Sequence, residues 1–214
     1  MTPPKVILIT SGPTQEFIDP IRFISNPSTG RIGYELAREA RLHNHQVILI
    51  SGPTNLDLPK NVQFIPVKDA FQMRKMVKKM FRHADCLIMA AAVSDFRPVR
   101  YNPQKIKARG KMNLKLIRTP DILKEVSGEK GKKILVGFAL ESENLLKNAR
   151  LKLKSKKLDF IVANRLTKNE IPFGNNRVSY LIIDKAGNIK RLKNSSKRQL
   201  AKVIFDKIDN LCNS

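Results

Sequence analysis

A chain of 214 residues with 42% hydrophobic and 28% charged residues has material for a substantial core, and no apolar run approaches the roughly 18 residues of a membrane span. Its formal charge of +23 favours anionic partners, yet aromatic residues make up only 6% and Trp is absent, which argues against a base-stacking nucleic-acid module. Two cysteines and three histidines argue equally against a disulfide framework and a His/Cys metal cluster.

The N-terminus, MTPPKVILITSG, lacks a basic leader followed by an apolar stretch and a small-residue cleavage site, so a cytoplasmic location is expected. Residues 6–11, VILITS, read as the first strand. After a long polar lead-in, ISNPSTGRIG (24–33) opens an amphipathic helix over 33–42. QVILIS (46–51) and VQFIPV (62–67) read as strands, 70–81 as a helix, and CLIMAAA (86–92) as a further strand. Thr119, Pro120 and Asp121 are a helix entry, and the predicted helix runs over 120–126. ILVGFA (134–139) and FIVAN (160–164) are strands, separated by a predicted helix over 142–155 that sets Leu145, Leu146, Ala149 and Leu153 on one face. RVSYLIID (177–184) and IKRL (189–192) then read as a β-hairpin, and 196–211 as a closing helix with Leu200, Val203, Ile204 and Ile208 together.

Near-continuous apolar strands need cover on both faces. Alternation with helices predicts an α/β fold: a Rossmann-like, doubly wound, mostly parallel sheet with helices on both faces and a C-terminal β-hairpin plus helix. No repeat or low-complexity linker divides the chain, so a single domain over 1–214 is expected. Its nucleotide-binding core would span about 5–164, and the hairpin and closing helix about 174–212. Many basic residues fall on the polar faces of these helices, where they are solvated.

Segments 12–26 and 93–117 follow the C-terminal ends of predicted strands, the edge where open α/β sheets bind ligands. GFALESE (137–143) follows a third strand at that edge. A dinucleotide fingerprint is incomplete: Ser28 occupies the place of the first glycine, before Gly30 and Gly33. The second strand ends in Ser51, Gly52 and Pro53, with no acid before Asp57 for an NAD ribose and no Arg for NADP. Of the three tyrosines only Tyr101 has a Lys four residues on, Lys105, and that pair sits in a Pro-containing loop. Hydride transfer is therefore disfavoured. A phosphate cradle at a helix N-terminus fits better. Lys105 and Lys107 suit a polyphosphate or are solvated loop lysines. Asp95 is a Mg²⁺ ligand or a cap. Asn26 orients an acyl group or is a turn residue before Pro27.

In order and spacing, SGPTQEFIDPIRFISNPSTGRIGYELA, AAAVSDFRP, KIKARG, TPDIL, VGFALES and DFIVAN resemble the phosphopantothenate–cysteine ligase family over roughly Val6 to Leu192. In many bacteria that ligase is the C-terminal half of a bifunctional coenzyme A biosynthesis protein. The flavin-dependent decarboxylase half has no counterpart here, so the resemblance implies a free-standing ligase with no flavin. It further implies activation of 4′-phosphopantothenate by CTP with Mg²⁺, transfer of the acyl group to L-cysteine, and a homodimer for which the 177–192 hairpin is a candidate contact.

The same resemblance assigns Asn26 to the acyl intermediate and Arg22 to the substrate. Ser28, Thr29 and Gly30 match the phosphate-facing loop. Ala91, Asp95 and Phe96 match the nucleotide and metal segment, and Phe138 matches a segment packed around the nucleotide. Lys105, with Lys107, matches a KxKK motif that meets the triphosphate. Departures are Ala108 at the last Lys of that motif, with Arg109 beside it, and Thr29, Arg31 and Thr119 in place of commoner residues. ATP instead of CTP, and a non-catalytic basic nucleotide- or nucleic-acid-binding module, stay open as alternatives.

Overall fold

The structure is a computed structural model and describes residues 3–107, 110–167 and 171–212. The apolar runs form the parallel strands β1 (Val6–Ser11), β4 (Gln46–Ser51), β5 (Gln63–Pro66), β6 (Cys86–Met89), β9 (Ile134–Glu141) and β10 (Phe160–Arg165). The antiparallel β11 (Val178–Asp184) and β12 (Ile189–Ser195) complete one sheet, in the order β12-β11-β10-β9-β6-β1-β4-β5. Its six parallel strands run in Rossmann order, and the chain reverses direction across the sheet between β1 and β6.

Alternate side chains of each strand feed two core layers. Ile7 and Ile9 pack with Tyr34, Leu36, Ala37 and Ala40 of α1 (Arg31–Leu42) and with α5 (Lys197–Cys212). Leu8 packs on the opposite face with α2 (Ala70–Phe81), α3 (Ile122–Ser127) and α4 (Leu145–Ser155). From α5, Leu200, Ile204, Phe205 and Ile208 are fully buried, at about 1.5–3 kcal/mol each before the entropy of ordering the helix. Helix α2 starts at Asp69, whose carboxylate accepts from the Gln72 N–H at 2.8 Å, and α3 starts at Asp121 in the same way.

Four short strands lie in the two segments read from sequence as irregular. β2 (Gln15–Phe17) pairs with β3 (Phe23–Ser25), and β7 (Phe96–Pro98) with β8 (Leu116–Arg118), each as a two-stranded antiparallel ribbon. Other departures are local. β6 stops at Met89, short of residue 92, because the chain bends to pair Ala92 with Gly12 and Thr14. Helix α4 starts at Leu145, after Asn144 adopts a left-handed conformation. The β11–β12 hairpin continues the sheet beside β10, and β12 is its outer strand.

Candidate functional site

The crevice lies at the C-terminal ends of β1 and β6. Helix α1 begins above it at Gly30, which has φ +75° and offers no side-chain cap. The acceptor-free first turn therefore presents unsatisfied N–H groups and the positive end of the helix dipole to the crevice. Gly30 and Gly33 allow this close approach: a Cβ on Gly30 would stand 2.6 Å from Thr54 Cγ2, and one on Gly33 2.4 Å from Ser11 Oγ. Ser11 Oγ holds the entry by donating to the Gly30 carbonyl at 2.7 Å.

Among the expected site residues, Ser28 accepts from the Gly30 N–H at 3.3 Å through its hydroxyl, while Thr29 is exposed. Asn26 is exposed, and its amide nitrogen bonds to the protein's own backbone. Its Nδ2 donates to the carbonyls of Ala92 at 3.2 Å and Val93 at 3.3 Å, which ties the loop before α1 to the chain leaving β6. Ala91 donates its N–H to Thr10 Oγ1 and packs on the α2–α4 layer. Phe138, half-buried on β9, packs on the α1–α5 layer. Asp95 and Phe96 are exposed beside the crevice, and the Asp95 carbonyl accepts from the Thr119 N–H.

Lys105 and Lys107 are both exposed, with Ile106 half-buried between them. Ala108 and Arg109, the end of the KxKK-like motif, lie outside the described residues. Arg22, half-buried, pairs with Asp19 at 3.5 Å and donates from Nη2 to the Ile106 carbonyl at 3.0 Å. Asp19, which the sequence reading missed, is fully buried. Burial pushes its carboxyl up, but N–H donors from Ile21, Arg22 and Ile106, with the Arg22 charge, outweigh this and hold it below the usual carboxylate range. The Asp19-Pro20 pair was the available signal, since Asp begins a turn by accepting from the N–H groups that follow it.

Two more cations stand near each other, Arg31 at the start of α1 and Lys197 at the start of α5; the sequence marked Arg31 only as a departure in the loop and did not single out Lys197. Arg31 Nε is buried with no partner among the described residues. Lys197 is buried with Nζ donating to the Asn176 carbonyl at 3.0 Å; burial and the Arg31 charge pull its pKa down.

A groove of about 740 Å³ opens at the same edge of the sheet, between the ribbons and the start of α2, lined by Glu16, Phe17, Lys68, Asp69, Phe71 and Arg97 among others. Arg97 lies over the Phe71 ring at 5.0 Å, and burial pushes the Glu16 carboxyl up despite the Ala70 N–H it accepts. Its mixed charges suit a triphosphate less well than the start of α1 does. No helix among the described residues is long and apolar enough to cross a membrane, and none of those residues forms a group of three or more His, Cys, Asp or Glu fit to hold a metal unaided.

The model of the DNA/pantothenate metabolism flavoprotein C-terminal domain matches residues 3–211. The coenzyme A biosynthesis bifunctional protein CoaBC of Bacillus subtilis (strain 168) is 44% identical over 206 residues, covering 95% of this chain and 51% of that protein. The chain thus spans about half the length of the curated relatives it matches. The crystal structure of the C-terminal domain of CoaBC superimposes with a TM-score of 0.84 at 35% identity, covering 98% of this chain and 96% of that one. A Cab2 variant in complex with phosphopantothenate-cysteine shares the fold, with a TM-score of 0.76 at 20% identity over 97% of this chain and 87% of that one.

Proposed function

The chain belongs to the DNA/pantothenate metabolism flavoprotein C-terminal domain family, and from that membership and the crevice geometry we propose that it is a CTP-dependent phosphopantothenate–cysteine ligase. The observation that carries this reading is the uncapped N-terminus of α1, opening onto the strand-order reversal beneath a loop anchored by Asn26.

In the first step the carboxylate of 4′-phosphopantothenate attacks the α-phosphorus of CTP. The bond to the bridging oxygen breaks, giving an acyl-cytidylate and pyrophosphate. The first-turn N–H groups of α1, with Ser28, Thr29 and Gly30, bind phosphate oxygens, and Lys105 and Lys107 offset the charge that moves onto pyrophosphate. A single exposed carboxylate, Asp95, fits a Mg²⁺ that is otherwise held by substrate phosphates, the arrangement this cation favours. Mg²⁺ bound there supplies charge neutralisation.

In the second step the amine of L-cysteine attacks the acyl carbon, CMP leaves, and the amine loses a proton. Asn26 Nδ2 is engaged by the Ala92 and Val93 carbonyls, and the amide offers its Oδ1 as an acceptor. That oxygen suits the attacking N–H of cysteine better than a developing oxyanion. The exposed apolar side chains Phe23, Phe96, Leu116 and Ile117 on the two ribbons favour these surfaces for a homodimer contact. The two free cysteines favour a cytoplasmic location.

The test is pyrophosphate release from CTP in the presence of phosphopantothenate, with and without cysteine, and with ATP in parallel. Release with CTP, raised by cysteine and exceeding that with ATP, is expected. Preference for ATP would overturn the nucleotide assignment, and absence of turnover with any nucleoside triphosphate would overturn the ligase reading.

A further inference from the structure

We propose that Asp19 and Arg22 form one clamp that grips the backbone of Ile106 from both sides and so positions Lys105 and Lys107 on the nucleotide triphosphate. Asp19 Oδ2 accepts the Ile106 N–H at 3.1 Å, and Arg22 Nη2 donates to the Ile106 carbonyl at 3.0 Å. The two gripping side chains pair with each other at 3.5 Å. A further bond, from the Asn102 N–H to the Ile18 carbonyl at 2.9 Å, fastens the same two segments.

The geometry at Ile106 determines where its neighbours point. Residues i and i+2 of a non-helical, extended segment share a side, and the residue between them faces the other way. Burial follows that alternation: Lys105 and Lys107 are exposed, and Ile106 is half-buried. Fixing the Ile106 N–H and carbonyl therefore holds the stretch of backbone from which both lysines project into solvent. Unclamped, two lysines on one face repel each other, and a flexible segment would hold them apart. Asp19 is also suited to hold the arrangement without competing for substrate. Its side chain is fully buried, and its other oxygen, Oδ1, accepts the Ile21 and Arg22 N–H groups at 2.9 and 2.8 Å. Asp19 and Arg22 are positioning residues, acting through the lysines. Their role rests on the ligase reading only for the identity of the triphosphate.

Asp19→Asn separates the clamp from the turn. Asparagine keeps an acceptor oxygen for the Ile21 and Arg22 N–H groups, but sets an NH₂ group against the Ile106 N–H. The expected result is a KM for CTP at least tenfold higher with the KM for L-cysteine within twofold of the parent, and faster hydrogen exchange at the Ile106 amide. A loss of general stability would not divide the two substrates in this way. Arg22→Met should raise the KM for CTP similarly, and the double variant should be no worse than the more impaired single one, as for two parts of one device. Additive effects, or an unchanged KM for CTP and unchanged Ile106 exchange in Asp19→Asn, would overturn the clamp. If the parent releases no pyrophosphate from any nucleoside triphosphate, the ligase reading fails separately. The clamp is then judged by inorganic tripolyphosphate affinity and Ile106 exchange: weaker binding and faster exchange in Asp19→Asn uphold it, and no change in either overturns it.

Discussion

Gly33→Ala tests how closely α1 must approach β1 for the crevice to work. A Cβ on Gly33 stands 2.4 Å from both Cβ and Oγ of Ser11, where ordinary contact begins at 3.4 Å, so helix and strand must part by about 1 Å. Rotating Ser11 does not relieve the clash, because its Cβ is as close as its Oγ. Overpacking of this kind costs roughly 1–3 kcal/mol. Loss of the Ser11 bond to the Gly30 carbonyl adds about 1 kcal/mol, and the better helix propensity of Ala returns up to about 1 kcal/mol. The net loss is about 1–3 kcal/mol, which for a chain of this size lowers the Tm by roughly 2–12 °C. Catalysis should suffer more, because a 1 Å displacement of a phosphate-binding helix end costs on the order of 10²-fold. Circular-dichroism melting and pyrophosphate release measure the two effects. Ser11→Gly combined with Gly33→Ala leaves only the Ser11 Cα close, at 3.1 Å, and should recover part of the turnover. Parental Tm and kcat/KM in Gly33→Ala would refute the reasoning.

Lys105→Gln should abolish most pyrophosphate release, whereas Asn26→Asp should retain it and lose cysteine-dependent product; chromatography of the acyl-nucleotide distinguishes them, and full activity of both would remove these residues from the site. Because the Asn26 contacts are at the surface, Asn26→Asp should cost no more than about 1 kcal/mol in a urea titration. His45 accepts the Lys5 N–H at Nδ1 and meets Asp209 at Nε2, and burial lowers its pKa below 6.5 despite the opposing Asp209 contact. Its contribution is full above pH 6.5 and is lost as pH falls through the lowered value, so His45→Gln should flatten the decline in stability below pH 6.5. An unchanged slope would contradict this. Asp159→Asn, which weakens contacts to Lys130 at 2.7 Å and Lys185 at 3.1 Å while keeping an acceptor for the Leu135 N–H, should cost about 1–3 kcal/mol by urea denaturation.

The sheet was legible because β1, β4, β9 and β10 are long apolar runs whose character survives any context. The ribbons were not: three residues cannot establish a period, and β7 contains a charge and a proline. Asn26 stood out in the sequence, but its partners lie 66 and 67 positions away, so its anchoring role was invisible there. Asp19 was harder still. It reads locally as a turn residue, and the contact that gives it meaning is with Ile106, 87 positions on. Arg22 was singled out for a substrate role, but its contacts with Asp19 and, 84 positions on, Ile106 could not be read from the sequence.

The outer strands also give part of the chain's large positive charge a use that requires no ligand. An open sheet edge invites another strand to add to it. Here β12 exposes Lys190, Arg191 and Lys193 along one edge, and β5 is only four residues long and ends in Pro66 at the other. A second copy arriving at β12 would set cation against cation, and one arriving at β5 would run out of donors. The sheet is therefore guarded at both margins against runaway self-association.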